Sequence, residues 1–298
     1  MKTLISLPPL FPSKALRKPA KISARARSSD DGIPADEVRV LAKFKSRHND
    51  IRVLEVSRRA DHPFAGSRLL LLDAPGNIHS ISFLLRTLTS TYFDVFASLP
   101  PLLPPGPVGV LGFGAGSAAR LLLHLYPHRE VHGWELDPSV ISVAGEYFGL
   151  KKLQKQHPRK LFVYVGDALE EADVEGGFAG VLVDLFMKGR VVRELQEEEG
   201  WERVRRTLRR GGRVMVNCGG RCVEAEDGGD GGAVMEETLA AMGRVFGADK
   251  VFVLRLGGGD GVVAMTGEEP DFRAWKEGLV EGLRGYVDMW VPLGSWKS

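Results

Sequence analysis

Three glycines, Gly112, Gly114 and Gly116, follow the short apolar run that begins at Val108 and lead into a helical pattern from Ala115 to Leu125. Glycine in such a loop lets the backbone turn sharply into a helix and pass close to a ligand. A pyrophosphate dinucleotide loop places its third glycine three residues after the second. That position here is Ser117, so the spacing leans away from NAD. Glu135 lies 19 residues beyond Gly116, at the end of the next predicted strand. A carboxylate there can accept both hydroxyls of a ribose. Gly166-Asp167-Ala168 follows the third strand. An Asp at that point can accept from an adenine amino group while the neighbouring Ala168 N–H meets a ring nitrogen. Asp184 ends the fourth strand, where α/β sheets bind ligands. It could serve as a base in a displacement reaction, or simply cap the following loop. Glycine loop, ribose acid and adenine acid, in this order, point to an S-adenosyl nucleotide.

These residues need a scaffold of alternating strands and helices. Val108–Gly112, Val131–Glu135, Leu161–Val165, Val181–Leu185 and Arg213–Asn217 read as strands, with helices predicted over Ala115–Leu125, Pro138–Phe148 and Trp201–Arg209. That alternation predicts a parallel sheet covered on both faces, an α/β fold. Val251–Leu256 and Val262–Thr266 are separated by too few residues for a crossover. They predict an antiparallel hairpin with a reversed strand at the sheet edge. Ahead of this region, Val38–Phe44, Ile51–Ser57, Ser67–Asp73 and Ile78–Leu84 read as β-hairpins forming a small antiparallel domain. A helix over Phe83–Leu99 and the five prolines between Pro100 and Pro107 come next. The expected organisation is a leader over 1–30, a small β domain with its helix over 31–100, and a nucleotide-binding domain over 101–298. Glu226–Gly232 is expected to be a mobile loop.

Composition restricts the alternatives. Of 298 residues, 44% are hydrophobic and 26% charged, the balance of an ordinary globular chain. The sequence has no apolar run long enough to span a bilayer, so membrane insertion is not expected. Seven of the 40 basic residues fall within residues 1–29, where there is no acid. The other 269 residues carry 33 basic and 38 acidic groups, a net of −5, which gives little reason to hold nucleic acid. A basic, acid-free, Ser/Pro-rich leader fits an organellar transit peptide, chloroplast before mitochondrion, with cleavage near Arg27–Asp31. Cys218 and Cys222 read as ordinary thiols. Pro127 breaks the helix that could align His124, His128 and His132, so no metal is expected. Lys151, Lys152 and Lys155 form a solvated face.

The sequence resembles a known family at four places: Leu70-Leu-Leu-Asp73; Tyr92 with Leu99-Pro100; the glycine loop followed by Trp134-Glu135-Leu-Asp137-Pro-Ser-Val-Ile141; and Phe178-Ala-Gly-Val-Leu-Val-Asp184. They resemble the spermidine synthase (polyamine aminopropyltransferase) group of the class I S-adenosylmethionine-dependent methyltransferase superfamily. The resemblance spans about Ile51 to Asn217. It implies a Rossmann-like domain with a mostly parallel seven-stranded sheet and an antiparallel C-terminal edge hairpin, preceded by a small antiparallel β domain. It further implies S-adenosylmethionine or its decarboxylated form as co-substrate, and a small-molecule acceptor such as an amine. Glu135 then matches the ribose ligand, Asp167 the adenine ligand and Asp184 the catalytic acid position. Tyr92, whose aromatic ring reads as core before it reads as site, and Asn77, about where the family has a glutamine, match substrate-side positions. Family members usually read Asp-x-x-Asp-Pro where this chain reads Asp184-Leu-Phe-Met187-Lys188. The missing second acid puts a dicationic acceptor in doubt. Methyl transfer to another acceptor, or a non-catalytic nucleotide-binding scaffold, are the competing readings. Oligomeric state, a homodimer among the options, is not fixed by these residues.

Overall fold

The computed structural model describes residues 33–221, 223–257 and 261–296, together with the backbone of Leu4–Ile5. Cys222 and nearly all of the leader lie outside the described residues.

Four strands, β1 (Val38–Lys45), β2 (Asp50–Val56), β3 (Ser67–Leu71) and β4 (Ile78–Phe83), form an antiparallel sheet in sequence order. Short turns join consecutive strands, which permits only antiparallel neighbours. The predicted helix over Phe83–Leu99 shrinks to α1 (Tyr92–Phe96). Local polar side chains explain the difference. The Asp94 carboxylate accepts from the backbone N–H groups of Thr89 and Ser90 and from the Thr89 hydroxyl, while Thr91 caps the helix. Ser and Thr here offer the backbone an alternative to helix. Phe83 belongs to β4 instead.

The proline-rich connector leaves carbonyls that no regular element can use. Arg129 collects four of them, from Pro100, Leu103, Pro104 and Gly106. This fixes the connector against the sheet that follows.

That sheet contains β5 (Val108–Leu111), β6 (Val131–Glu135), β7 (Leu161–Val165), β8 (Phe178–Val183), β9 (Leu208–Gly220), β10 (Val251–Arg255), β11 (Gly261–Thr266) and β12 (Val291–Pro292). Its order is β12-β10-β11-β9-β8-β5-β6-β7. β5 to β9 pair in parallel, and β11 runs antiparallel to both its neighbours. The expected seven strands are present, with two-residue β12 added outside them. The reversed strand lies one place further in than expected, inserted between β9 and β10. β9 also begins earlier than predicted. Gly211-Gly212 are taken up inside it by a register jump against β8, so Arg209 belongs to this strand and not to the preceding helix.

Period-two alternation divides the core between the two faces. Leu182, Met215, Leu254 and Met265 face one core, shared with the four-stranded sheet, α1, α2 (Ser117–Leu125) and α3 (Pro138–Tyr147). Val181, Val183, Val214 and Val216 face the other, with Trp201 of α6 (Glu198–Arg206) and Leu239 of α7 (Gly231–Phe246). Two shorter helices complete the crossovers, α4 (Leu150–Gln156) and α5 (Ala168–Glu171). α8 (Phe272–Glu277) and α9 (Glu281–Val287) close the C-terminal region.

Candidate functional site

The carboxyl ends of β5 to β8 converge on an open cleft. Gly112 and Gly114 line it, and both have left-handed backbone, φ +84° and +54°. A Cβ on Gly112 would overlap the Asp184 carbonyl oxygen, and one on Gly114 would press on Ser80 Oγ. Gly116 does not line the cleft. It caps α2 beneath the Phe113 ring with φ +83°, so its requirement for glycine is conformational.

Glu135 ends β6 with its carboxylate in the cleft, 8% exposed. Oε2 accepts from Gly114 N at 2.9 Å and Oε1 from Asp137 N at 3.1 Å. Each oxygen retains a lone pair for a further donor. Burial outweighs these bonds and pushes the group up to about 6. Asp167 and Ala168 line the same wall, with Asp167 Oδ1 accepting from Leu169 N at the start of α5. Asp137, buried behind Glu135, caps α3 and accepts from Ser46 and Asn49 of the turn joining β1 and β2.

Asp184 stands where the cleft turns from this nucleotide-like half towards the four-stranded sheet. Tyr92 donates its hydroxyl to Oδ2 at 2.7 Å, and Asn217 Nδ2 donates to Oδ1 at 3.0 Å. Burial raises the carboxyl to about 6 despite both bonds, which favour its charged form. The same burial, reinforced by the Asp184 charge, pushes the Tyr92 phenol well above its ordinary value, so it remains a donor. The other half of the cleft lies between Leu72 and His79 of the four-stranded sheet region and a small hairpin, Phe186–Met187 paired with Arg190–Val191. Lys188 (φ +53°) and Gly189 (φ +76°) form its two-residue turn, a type I′ geometry.

Asn77 is engaged elsewhere. Its amide donates to Asp73 Oδ2 at 2.6 Å and to the Glu224 carbonyl at 2.8 Å, and its carbonyl accepts from Glu224 N. It therefore clasps the turn after β3 to the loop after β9, and it does not line the cleft. The loop expected to be mobile is tied down at further points. Glu226 N donates to the Lys188 carbonyl, Glu226 Oε1 accepts from Ala74 N, and Arg190 pairs with Asp227 at 2.6 Å.

Sequence reasoning missed Asn217 and His79. The first depends on register: β8 and β9 pair Val183 with Val216, which sets Asp184 beside Asn217. The His79 ring is half-buried on the cleft wall, with Nδ1 2.9 Å from the Asn77 carbonyl. Burial lowers its pKa and the Asp73 carboxylate partly offsets this. Among the described residues no group of three metal-ligating side chains occurs. His132 instead contacts Glu130 and the Tyr164 hydroxyl within an aromatic stack. No described helix is long and apolar enough to cross a membrane.

No family model matches the chain. A protein of Bifidobacterium longum named "Probable polyamine aminopropyl transferase" is 26% identical over 167 residues, 55% of this chain and 34% of that protein. The chain thus spans about a third of the length of this curated relative. Among solved structures, a probable spermidine synthase from Corynebacterium glutamicum superposes with a TM-score of 0.58 at 18% identity, over 83% of this chain and 93% of that one. A spermidine synthase in complex with the transition-state analogue AdoDATO gives 0.60 at 15% identity, over 81% and 78%. The chain therefore has the fold of the solved spermidine synthases.

Proposed function

We propose that the protein is a spermidine synthase-like transferase that binds S-adenosylmethionine or its decarboxylated form and passes an alkyl group, aminopropyl by preference, to an amine. In this reading Glu135 accepts the ribose hydroxyls, Asp167 and the Ala168 N–H receive the adenine, and the glycine loop lets the nucleoside approach the backbone. The observation that carries it is Asp184, a half-buried carboxylate aimed by Tyr92 and Asn217 into the same cleft as Glu135 and Asp167. Asp184 takes one proton from the acceptor ammonium. The freed nitrogen attacks the carbon next to sulfur, the C–N bond forms as the C–S bond breaks, and the sulfur leaves as a neutral thioether. An alkylammonium has a pKa near about 10. A base at about 6 rather than at the ordinary 3.8 narrows the mismatch from about six powers of ten to about four.

Methyl transfer is the second reading, favoured by Met187 and Lys188 where a second acid would hold a diamine. One experiment separates the two. The protein is incubated with each nucleotide and a pool of amines, and products are read by mass spectrometry. A gain of an aminopropyl group from the decarboxylated nucleotide supports the first reading, and a gain of a methyl group from the parent supports the second. Asp184→Asn should abolish the product while leaving nucleotide affinity nearly intact. Absence of product from the native protein with either nucleotide would refute both. The basic, acid-free leader supports a plastid location, tested by import of residues 1–30 fused to a fluorescent reporter into isolated chloroplasts and mitochondria.

A further inference from the structure

Beyond Asp184 the acceptor half of the cleft is short of negative charge. Its walls are Leu72, His79, Phe186 and Met187, the last half-exposed within the cleft. An imidazole supplies no anion in either protonation state, and burial lowers the His79 pKa. The remaining carboxylates of the cleft belong to its other half. Glu135 and Asp167 lie at the ends of β6 and β7, and Glu170 is paired with Arg203. Glu194, on the turn Arg193–Gln196, packs its carbonyl against Gly200 of α6, the helix that carries Arg203. Asp73 is buried away from the opening, its oxygens occupied by the N–H groups of Gly76 and Asn77 and by the Asn77 amide. Glu226 and Asp227 are near in sequence to the clasp but do not line the cleft, being turned to Ala74 N and Arg190. The type I′ turn at Lys188-Gly189 continues the hairpin with a basic residue directly after Met187. An ammonium laid on this wall would lose water without gaining a carboxylate partner, whereas a hydrocarbon chain would gain burial.

We infer that the acceptor is a primary monoamine with an apolar tail, its nitrogen at Asp184 and its tail along Leu72, Phe186 and Met187. This rests on the reading that the cleft holds an adenosyl sulfonium and serves an amine. The test compares two amines of equal length, n-hexylamine and 1,6-diaminohexane, by isothermal titration into the full chain, free and saturated with 5′-methylthioadenosine. Hexylamine should bind at least about tenfold more tightly, since the diamine's second charge must be desolvated. Met187→Asp should reverse the order by strengthening the diamine at least about tenfold. Equal affinities, a preference for the diamine, or no binding of either amine by the native chain would overturn the inference. So would a Met187→Asp chain that gains nothing for the diamine. Failure of 5′-methylthioadenosine to bind is a separate result. It counts against the nucleotide reading, while the titrations on the free chain still decide the amine preference.

Discussion

Asp184 and Glu135 are both drawn away from water by the fold, and both are thereby raised to about 6. For a general base the consequence has a definite sign. Asp184 must be ionised to accept a proton, so turnover should fall as pH drops through about 6. The Tyr92 hydroxyl bond favours the charged carboxylate. Removing it in Tyr92→Phe should therefore move the acid limb of the kcat/KM profile to higher pH. An unchanged or lowered limb would show that Tyr92 is only core packing. The strand-end carboxylates could be read from the sequence because strand–helix alternation sends every such residue to one edge of the sheet. Asn217 could not, because its approach to Asp184 depends on pairing between strands more than thirty residues apart. Nor could the engagement of Asn77 by Glu224, which is made by a loop 147 residues away.

At the level of elements, the β5–α2 turn carries the tightest constraint. Gly112 combines left-handed backbone with direct contact to the Asp184 carbonyl. Gly112→Ala should cost about 2 kcal/mol or more, seen as a drop in Tm of about 5 °C or more, with weaker nucleotide binding. A variant with native Tm would show that the turn is not strained. The parallel strands and the four-stranded meander were legible because their apolar runs are short and bounded by turn residues. The helix over Phe83–Leu99 was misjudged because apolar spacing alone ignores Asp94 and Thr89, whose bonds hold the preceding segment out of helix. The Phe186–Val191 hairpin was missed as well. Its two-residue turn begins with Lys188, a residue that gives no turn signal.

Across the whole molecule, the two sheets are bound together at the candidate site itself. Ser80 Oγ accepts from Ala115 N at 2.8 Å, and Ser117 Oγ both donates to the Ile81 carbonyl and accepts from Ile81 N. Ser46 and Asn49 hold Asp137, and one continuous apolar core runs under both sheets. The described body should then unfold as a single cooperative unit, with calorimetric and van't Hoff enthalpies in agreement. Two resolved transitions would mean that the small sheet is an independent appendage. This joint could not be foreseen from a sequence that divides at the prolines, because Ser80 and Ser117 look like ordinary surface residues until the sheets meet. The central claim, that glycine loop, Glu135 and Asp167 together hold an adenosyl sulfonium nucleotide, is tested most directly by isothermal titration of decarboxylated S-adenosylmethionine into the native chain and Glu135→Ala. Saturable binding by the native chain, weakened at least about tenfold in the variant, is the predicted result, since at least one charge-assisted hydrogen bond is lost. Equal affinity in the two proteins, or no binding by the native chain, would contradict it.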